Sequence, residues 1–158
     1  MDSPLTTTRA ACVGIDWASE HHDIALQATG RAAIEHRRLA HAPEAIAEWL
    51  ASLAVRFGGQ PIGIALETSR GPLVHARLEA PFVGLSPINP RSLQRFREAV
   101  APSGATDDAP DARLLLTRLV KHRDQLTCWT PDDVATRTLR RLVAYRRRAI
   151  GMRVQLTQ

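Results

Sequence analysis

Only two cysteines, Cys12 and Cys128, and a single lysine, Lys121, occur among the 158 residues of this chain. Two isolated cysteines exclude a disulfide framework and a zinc knuckle. The six histidines do not restore a zinc site, because His21 and His22 are adjacent and on a strand would point to opposite faces. No run approaches the ~18 uninterrupted apolar residues of a membrane span. The start Met1-Asp2-Ser3-Pro4 lacks the apolar core of a signal peptide. A cytoplasmic protein with no membrane partner is therefore expected. A glycine-rich phosphate loop is also missing, which counts against an actin-like sugar kinase or ATPase fragment even though Gly14-Ile15-Asp16 followed by a hairpin would open that fold.

What is present is enough apolar material, 44% of residues, for one core. Residues 1–10 show no periodicity and read as a disordered leader. Strands are expected over Cys12–Trp17, His22–Ala28 and Arg31–Arg37, with the turn at Thr29-Gly30. Pro43 opens a helical pattern that stops at Gly58-Gly59, and Trp49 within it reads as a core residue. A fourth strand spans about Pro61–Glu67, a helix Pro72–Leu78 and a fifth strand Phe82–Leu85. Helices follow over Arg91–Val100 and from Asp111 to about His122, then a long one from about Asp132 to Gln158. This order predicts an α/β fold, a ribonuclease-H-like (RuvC-like) mixed five-stranded sheet flanked by helices, with a long C-terminal helix. Strands one and four would be parallel neighbours. The expected division is a leader over 1–10, the sheet domain over 11–125 and a basic helical connector over 126–158.

Four acids occupy telling places. Asp16 sits near the end of the apolar run Val13-Gly14-Ile15-Asp16-Trp17-Ala18, and Glu67 closes Ile62-Gly63-Ile64-Ala65-Leu66-Glu67. Each is placed where a buried strand meets the edge of its sheet. Asp108 and Asp111 are three apart at a helix start, a spacing that puts two side chains on one face. Taken alone, that pair also reads as an N-cap and a first-turn acid around Pro110, and Asp16 as a turn former. Taken together, oxygen ligands of this kind suit Mg2+ or Mn2+ in phosphodiester chemistry.

Charge is unevenly spread. From Arg113 to Gln158 eleven basic residues face three acids, a net of +8, which leaves −3 for the rest of a chain whose total is +5. A basic tail beside an acid-centred domain suits a nucleic-acid contact surface, although a solvated basic helix has the same composition. Arg91, Arg95 and Arg97 on one helix, with Arg140, Arg141, Arg146, Arg147 and Arg148 on the last, are the candidate contacts.

These pieces resemble a known family, the bridge-RNA-guided insertion-sequence transposases with an N-terminal RuvC-like DEDD domain. The resemblance is carried by Val13–Ala18 with His22–Ala25, by Ala65-Leu66-Glu67-Thr68, by Ile88-Asn89-Pro90 with Phe96-Arg97, and by Asp108-Ala109-Pro110-Asp111-Ala112-Arg113. It implies that Asp16, Glu67, Asp108 and Asp111 form a catalytic metal site for Mg2+ or Mn2+. It also implies DNA and a structured guide RNA as partners, and resembles a family whose coiled-coil connector matches the basic helix, which would support a homo-oligomer. Two departures stand out. The family's Lys-Thr before the third acid and Arg after it are replaced by Thr106-Asp107 and Ala109-Pro110, and the family's C-terminal serine domain is not in this sequence. An N-terminal portion of a transposase is the expectation; a free-standing resolvase or nuclease using the same acids is the alternative.

Overall fold

The computed structural model describes residues 8–67, 80–100, 111–130 and 133–156. Five strands form one sheet: β1 (Ala11–Trp17), β2 (His21–Ala28), β3 (Glu35–Ala40), β4 (Ile62–Leu66) and β5 (Val83–Pro87), in the order β3-β2-β1-β4-β5. β1 pairs antiparallel with β2 and parallel with β4; β2–β3 is antiparallel and β4–β5 parallel. The described helices are α1 (Pro43–Arg56), α2 (Pro90–Val100), α3 (Asp111–Lys121) and α4 (Val134–Leu156), with a 3-10 turn at Arg123–Gln125. The helix expected over Pro72–Leu78 lies outside the described residues.

The two faces of the sheet differ in side-chain size, and that difference positions everything else. One face presents Val13, Ile15, Ile24, Ile62, Ile64, Leu66 and Leu85 to Ile46, Trp49, Leu50 and Leu53 of α1. Large branched residues fill the space between this face and α1. The other face carries Cys12, Gly14, Ala25 and Ala65, against which α3 buries Ala112, Leu115, Leu116 and Leu119. Here the helix approaches as closely as backbones allow: a Cβ on Gly14 would lie 2.0 Å from the Ala112 carbonyl oxygen and 2.5 Å from the Leu116 nitrogen. Gly14 is thus required by contact, not by a turn. Arg118 ties α2 to α3, donating from Nη1 to the Ser92 carbonyl at 2.6 Å and from Nη2 to Ser92 Oγ at 2.7 Å.

Two expectations are corrected. The third strand runs over Glu35–Ala40 rather than Arg31–Arg37. Gly30 turns with φ 79°, and the Gln27 side-chain amide holds the next residues in a loop by donating to the Arg31 carbonyl at 2.9 Å. This edge strand buries only Leu39, so apolar alternation could not mark its ends. Two residues expected in the leader are also held by the fold: the Ala10 N–H donates to Pro61 O at 2.8 Å, and Arg9 is buried; residues 1–7 lie outside the described residues. Arg9 is polar, and a polar residue outside the periodic run gave no sequence signal of burial.

Candidate active site

Parallel pairing brings two of the predicted acids to one edge. The last β1–β4 pair is Ile15 with Leu66, so Asp16 and Glu67 each stand one residue beyond it. Alternation places Asp16 on the face of Gly14 and Ala65, the face covered by α3. Because Gly14 admits the α3 backbone at Ala112, the adjoining Asp111 is delivered to the same end of the sheet. Asp108 lies outside the described residues. Asp16, Glu67 and Asp111 are all half-buried.

Sharing an edge is not sharing a coordination shell. Among the described residues no group of three or more His, Cys, Asp and Glu side chains is placed to hold a metal ion. Asp111 Oδ1 is bound by Arg97 Nη2 from α2. Arg97, one of the candidate nucleic-acid contacts, is part-buried and its charge also acts on Asp16, with its Nε lacking a hydrogen-bond partner. The donor set is nonetheless all carboxylate oxygen, which fits a hard divalent cation.

Asp16 has a neighbour that the sequence reading left without a role. Antiparallel register sets Asp23 directly opposite Asp16, and cross-strand partners share a face. Burial pushes the Asp16 carboxyl above the usual range, the Asp23 charge pushes it further, and the Arg97 guanidinium pulls it back. Asp23 is paired in turn with Arg38 Nε at 3.2 Å on the edge strand. The signal was the hairpin itself: a turn centred on Ser19-Glu20 makes Asp16 and Asp23 equidistant from it.

Behind this edge, on the α1 face, Trp17, His22 and His41 cluster. Trp17 and His22 stack with ring centroids 3.6 Å apart. The Ala18 N–H donates to His22 Nδ1 at 3.2 Å, which leaves the proton of the neutral ring on Nε2, 3.1 Å from His41 Nδ1. Burial first, then the His41 and His21 charges, lower the His22 pKa to about 4. The turn that carries the site is thereby fixed from behind.

The candidate arginines divide. Arg91 and Arg95 are exposed on α2, and Arg141, Arg146, Arg147 and Arg148 are exposed on α4; the Arg140 side chain lies outside what is described. α4 also exposes Leu139, Leu142, Tyr145 and Ile150. No helix among the described residues is long and apolar enough to cross a membrane.

Comparison with known proteins converges on these elements. A family model described as DEDD_Tnp_IS110, Transposase, matches residues 13–158. The protein named "Putative transposase y4uE" of Sinorhizobium fredii is 34% identical over 118 residues, which cover 73% of this chain and 33% of that protein. The chain thus spans about a third of the length of that curated relative. RuvC of Thermus thermophilus matches with a TM-score of 0.51 at 16% identity, over 75% of this chain and 99% of RuvC, a likeness of fold. A match that begins on β1, three residues before Asp16, and runs through the basic helix leaves one conclusion: the chain belongs to the IS110 family of DEDD transposases, with a RuvC-like domain.

Proposed function

We propose that this chain is the metal- and nucleic-acid-binding portion of a cytoplasmic DNA transposase that moves an insertion sequence under the guidance of a structured RNA. Asp16, Glu67, Asp108 and Asp111 are assigned as its catalytic ligand set for Mg2+ or Mn2+. The observation that carries this reading is the placement of Asp16 and Glu67 one residue past the last pair of two parallel central strands, with the N-terminus of α3 held at the same edge by the Gly14 contact. A divalent ion there would stabilise the attacking and leaving oxygens of a phosphodiester exchange. The chain's own contribution is a concentration of negative charge: Asp16 and Asp23 side by side repel, and a cation relieves that repulsion. Arg97 holds Asp111 ready to neutralise a phosphate or to release the carboxylate.

DNA and guide RNA are assigned to the exposed arginines Arg91, Arg95, Arg141, Arg146, Arg147 and Arg148, and self-association to the apolar residues exposed on α4. Calorimetric titration of Mn2+ into the chain and into Asp16→Asn and Glu67→Gln tests the ligand set. Binding should be lost in both variants, and unchanged affinity in either removes that residue from the set. Incubation of the chain with branched DNA and Mg2+ separates the two catalytic readings: cleavage by the 158 residues alone favours a free-standing nuclease, whereas binding without cleavage favours a transposase portion that acts with a further domain.

A further inference from the structure

At the opposite end of the sheet from the carboxylates lies an open cavity of about 540 Å³, walled by the start of β1, the β2–β3 turn and the end of α3. Its lining includes Arg9, Arg31 and Arg123 and no acidic residue. Arg31 and Arg123 are exposed at the rim, whereas Arg9 is only 5% exposed. The Arg9 side chain passes directly over Gly63 of β4: a Cβ there would come within 2.7 Å of Nη1 and 2.9 Å of Cζ. Glycine at 63 is what makes room for it. Arg9 Nη1 is buried with no hydrogen-bond partner, and no carboxylate among the described residues pairs with Arg9.

A buried guanidinium without a counter-charge is strongly disfavoured. The cost falls when an anion enters the space beside it. The walls are built rather than loose: Thr29 Oγ1 donates to the Arg9 carbonyl at 2.5 Å, and Gln27 anchors the Arg31 backbone at 2.9 Å. Cys12 lines the same cavity as Arg9, Arg31 and Arg123; burial pushes its thiol up, and the charge and hydrogen bond of Arg9 and the charge of Arg123 pull it back.

We propose that this cavity is a second, non-catalytic phosphate subsite, in which the inner Arg9 and the rim Arg31 and Arg123 hold one tetrahedral oxyanion. Arginine suits the role because its planar fork matches phosphate oxygens. Arg9 lies seven residue steps before Asp16, most of them along β1, roughly 23 Å at about 3.3 Å per residue, so the site sits well away from the carboxylates. Two sources share this chemistry, a backbone phosphodiester of bound nucleic acid and a free phosphate or mononucleotide. The first source rests on the nucleic-acid reading above; the site itself does not.

The test uses the 158-residue chain, with inorganic phosphate and a fluorescent 20-base-pair duplex as probes. Phosphate should raise the melting temperature above that in chloride of equal ionic strength, and Arg31→Gln/Arg123→Gln should weaken phosphate binding by about tenfold or more. Because both rim residues are exposed, this variant should fold. If the source is nucleic acid, phosphate competes with the duplex, and the double variant lowers the slope of log affinity against log salt by about one to two. If the source is a free phosphate, duplex binding is unchanged while phosphate stabilisation is lost. Arg9→Met, which keeps an apolar stem on Gly63, should be at least as stable as the parent in phosphate-free buffer and insensitive to phosphate. Asp16→Asn should keep full phosphate stabilisation, which separates failure of this site from failure of the metal site. Absence of phosphate-specific stabilisation in the parent chain, or equal stabilisation in the double variant, overturns the proposal.

Discussion

Substituting Gly14 by alanine probes the contact on which the site's geometry depends. The added Cβ would stand 2.0 Å from the Ala112 oxygen and 2.5 Å from the Leu116 nitrogen, both backbone atoms of α3 that cannot rotate away. Reaching even 3.0 Å requires α3 to back off by about 1 Å, and a gap of that size forfeits about a quarter to a half of each dispersion contact. The helix buries Ala112, Leu114, Leu115, Leu116 and Leu119 on that side, so the loss is shared by five residues. Overpacking usually costs about 1–3 kcal/mol; with backbone as the obstacle, about 3 kcal/mol is expected. That is a large share of the roughly 5–15 kcal/mol that holds a domain folded. At an m value of about 2 kcal/mol/M the urea midpoint should fall by about 1.5 M. The matched control is Gly84→Ala on β5, where the new Cβ would meet Cys128 Sγ at 3.6 Å and the Ile62 oxygen at 3.8 Å, ordinary contacts. Its midpoint should move little. The two midpoints, measured by circular dichroism side by side, decide the matter: equal stability of Gly14→Ala and Gly84→Ala would refute the close-approach argument. Mn2+ affinity of refolded Gly14→Ala should also drop, because α3 carries Asp111 with it.

Three further outcomes are expected. The His22 ring is neutral in the fold down to about pH 4, while an unfolded histidine takes up its proton near 6.5. Between those values the unfolded chain binds more protons, so this stabilisation is full above 6.5 and falls as pH drops, by up to about 2 kcal/mol at pH 5; that is an upper figure because His22 lies near the sheet's rim. Urea midpoints at pH 7 and pH 5 should therefore differ in the parent chain and converge in His22→Gln, and an identical slope in both would remove His22 as its source. Asp23→Asn should lower the Asp16 carboxyl pKa, measured by carbon NMR on the metal-free chain, since it removes one of the two influences that raise it; an unchanged titration would mean burial alone is responsible. Leu115→Ala, at a fully buried position on α3, should cost about 2–5 kcal/mol, and a loss below 1 kcal/mol in thermal or urea unfolding would show that the α3 face is loosely packed.

The amino-acid sequence by itself determined the order of the described elements and the two strand ends that carry Asp16 and Glu67. Val13–Ile15 and Ile62–Leu66 are apolar runs with nowhere to go but a buried sheet, and an acid closing such a run is visible in one dimension. Periodicity reports burial, and burial is local enough to read. What it does not report is who sits opposite whom. Asp23 beside Asp16, Arg97 bound to Asp111 and the start of β3 at Glu35 depend on register and on contacts between residues 7 to 14 positions apart or across the sheet. Arg9 is the sharpest case. As an isolated cation ahead of the first strand it belongs by composition to a solvated leader, and only the bare backbone of Gly63, more than fifty residues away, gives it a buried place. The close seating of α3 over Gly14, and with it the gathering of acids at one edge, was decided by the missing Cβ of one residue meeting a helix about a hundred positions later.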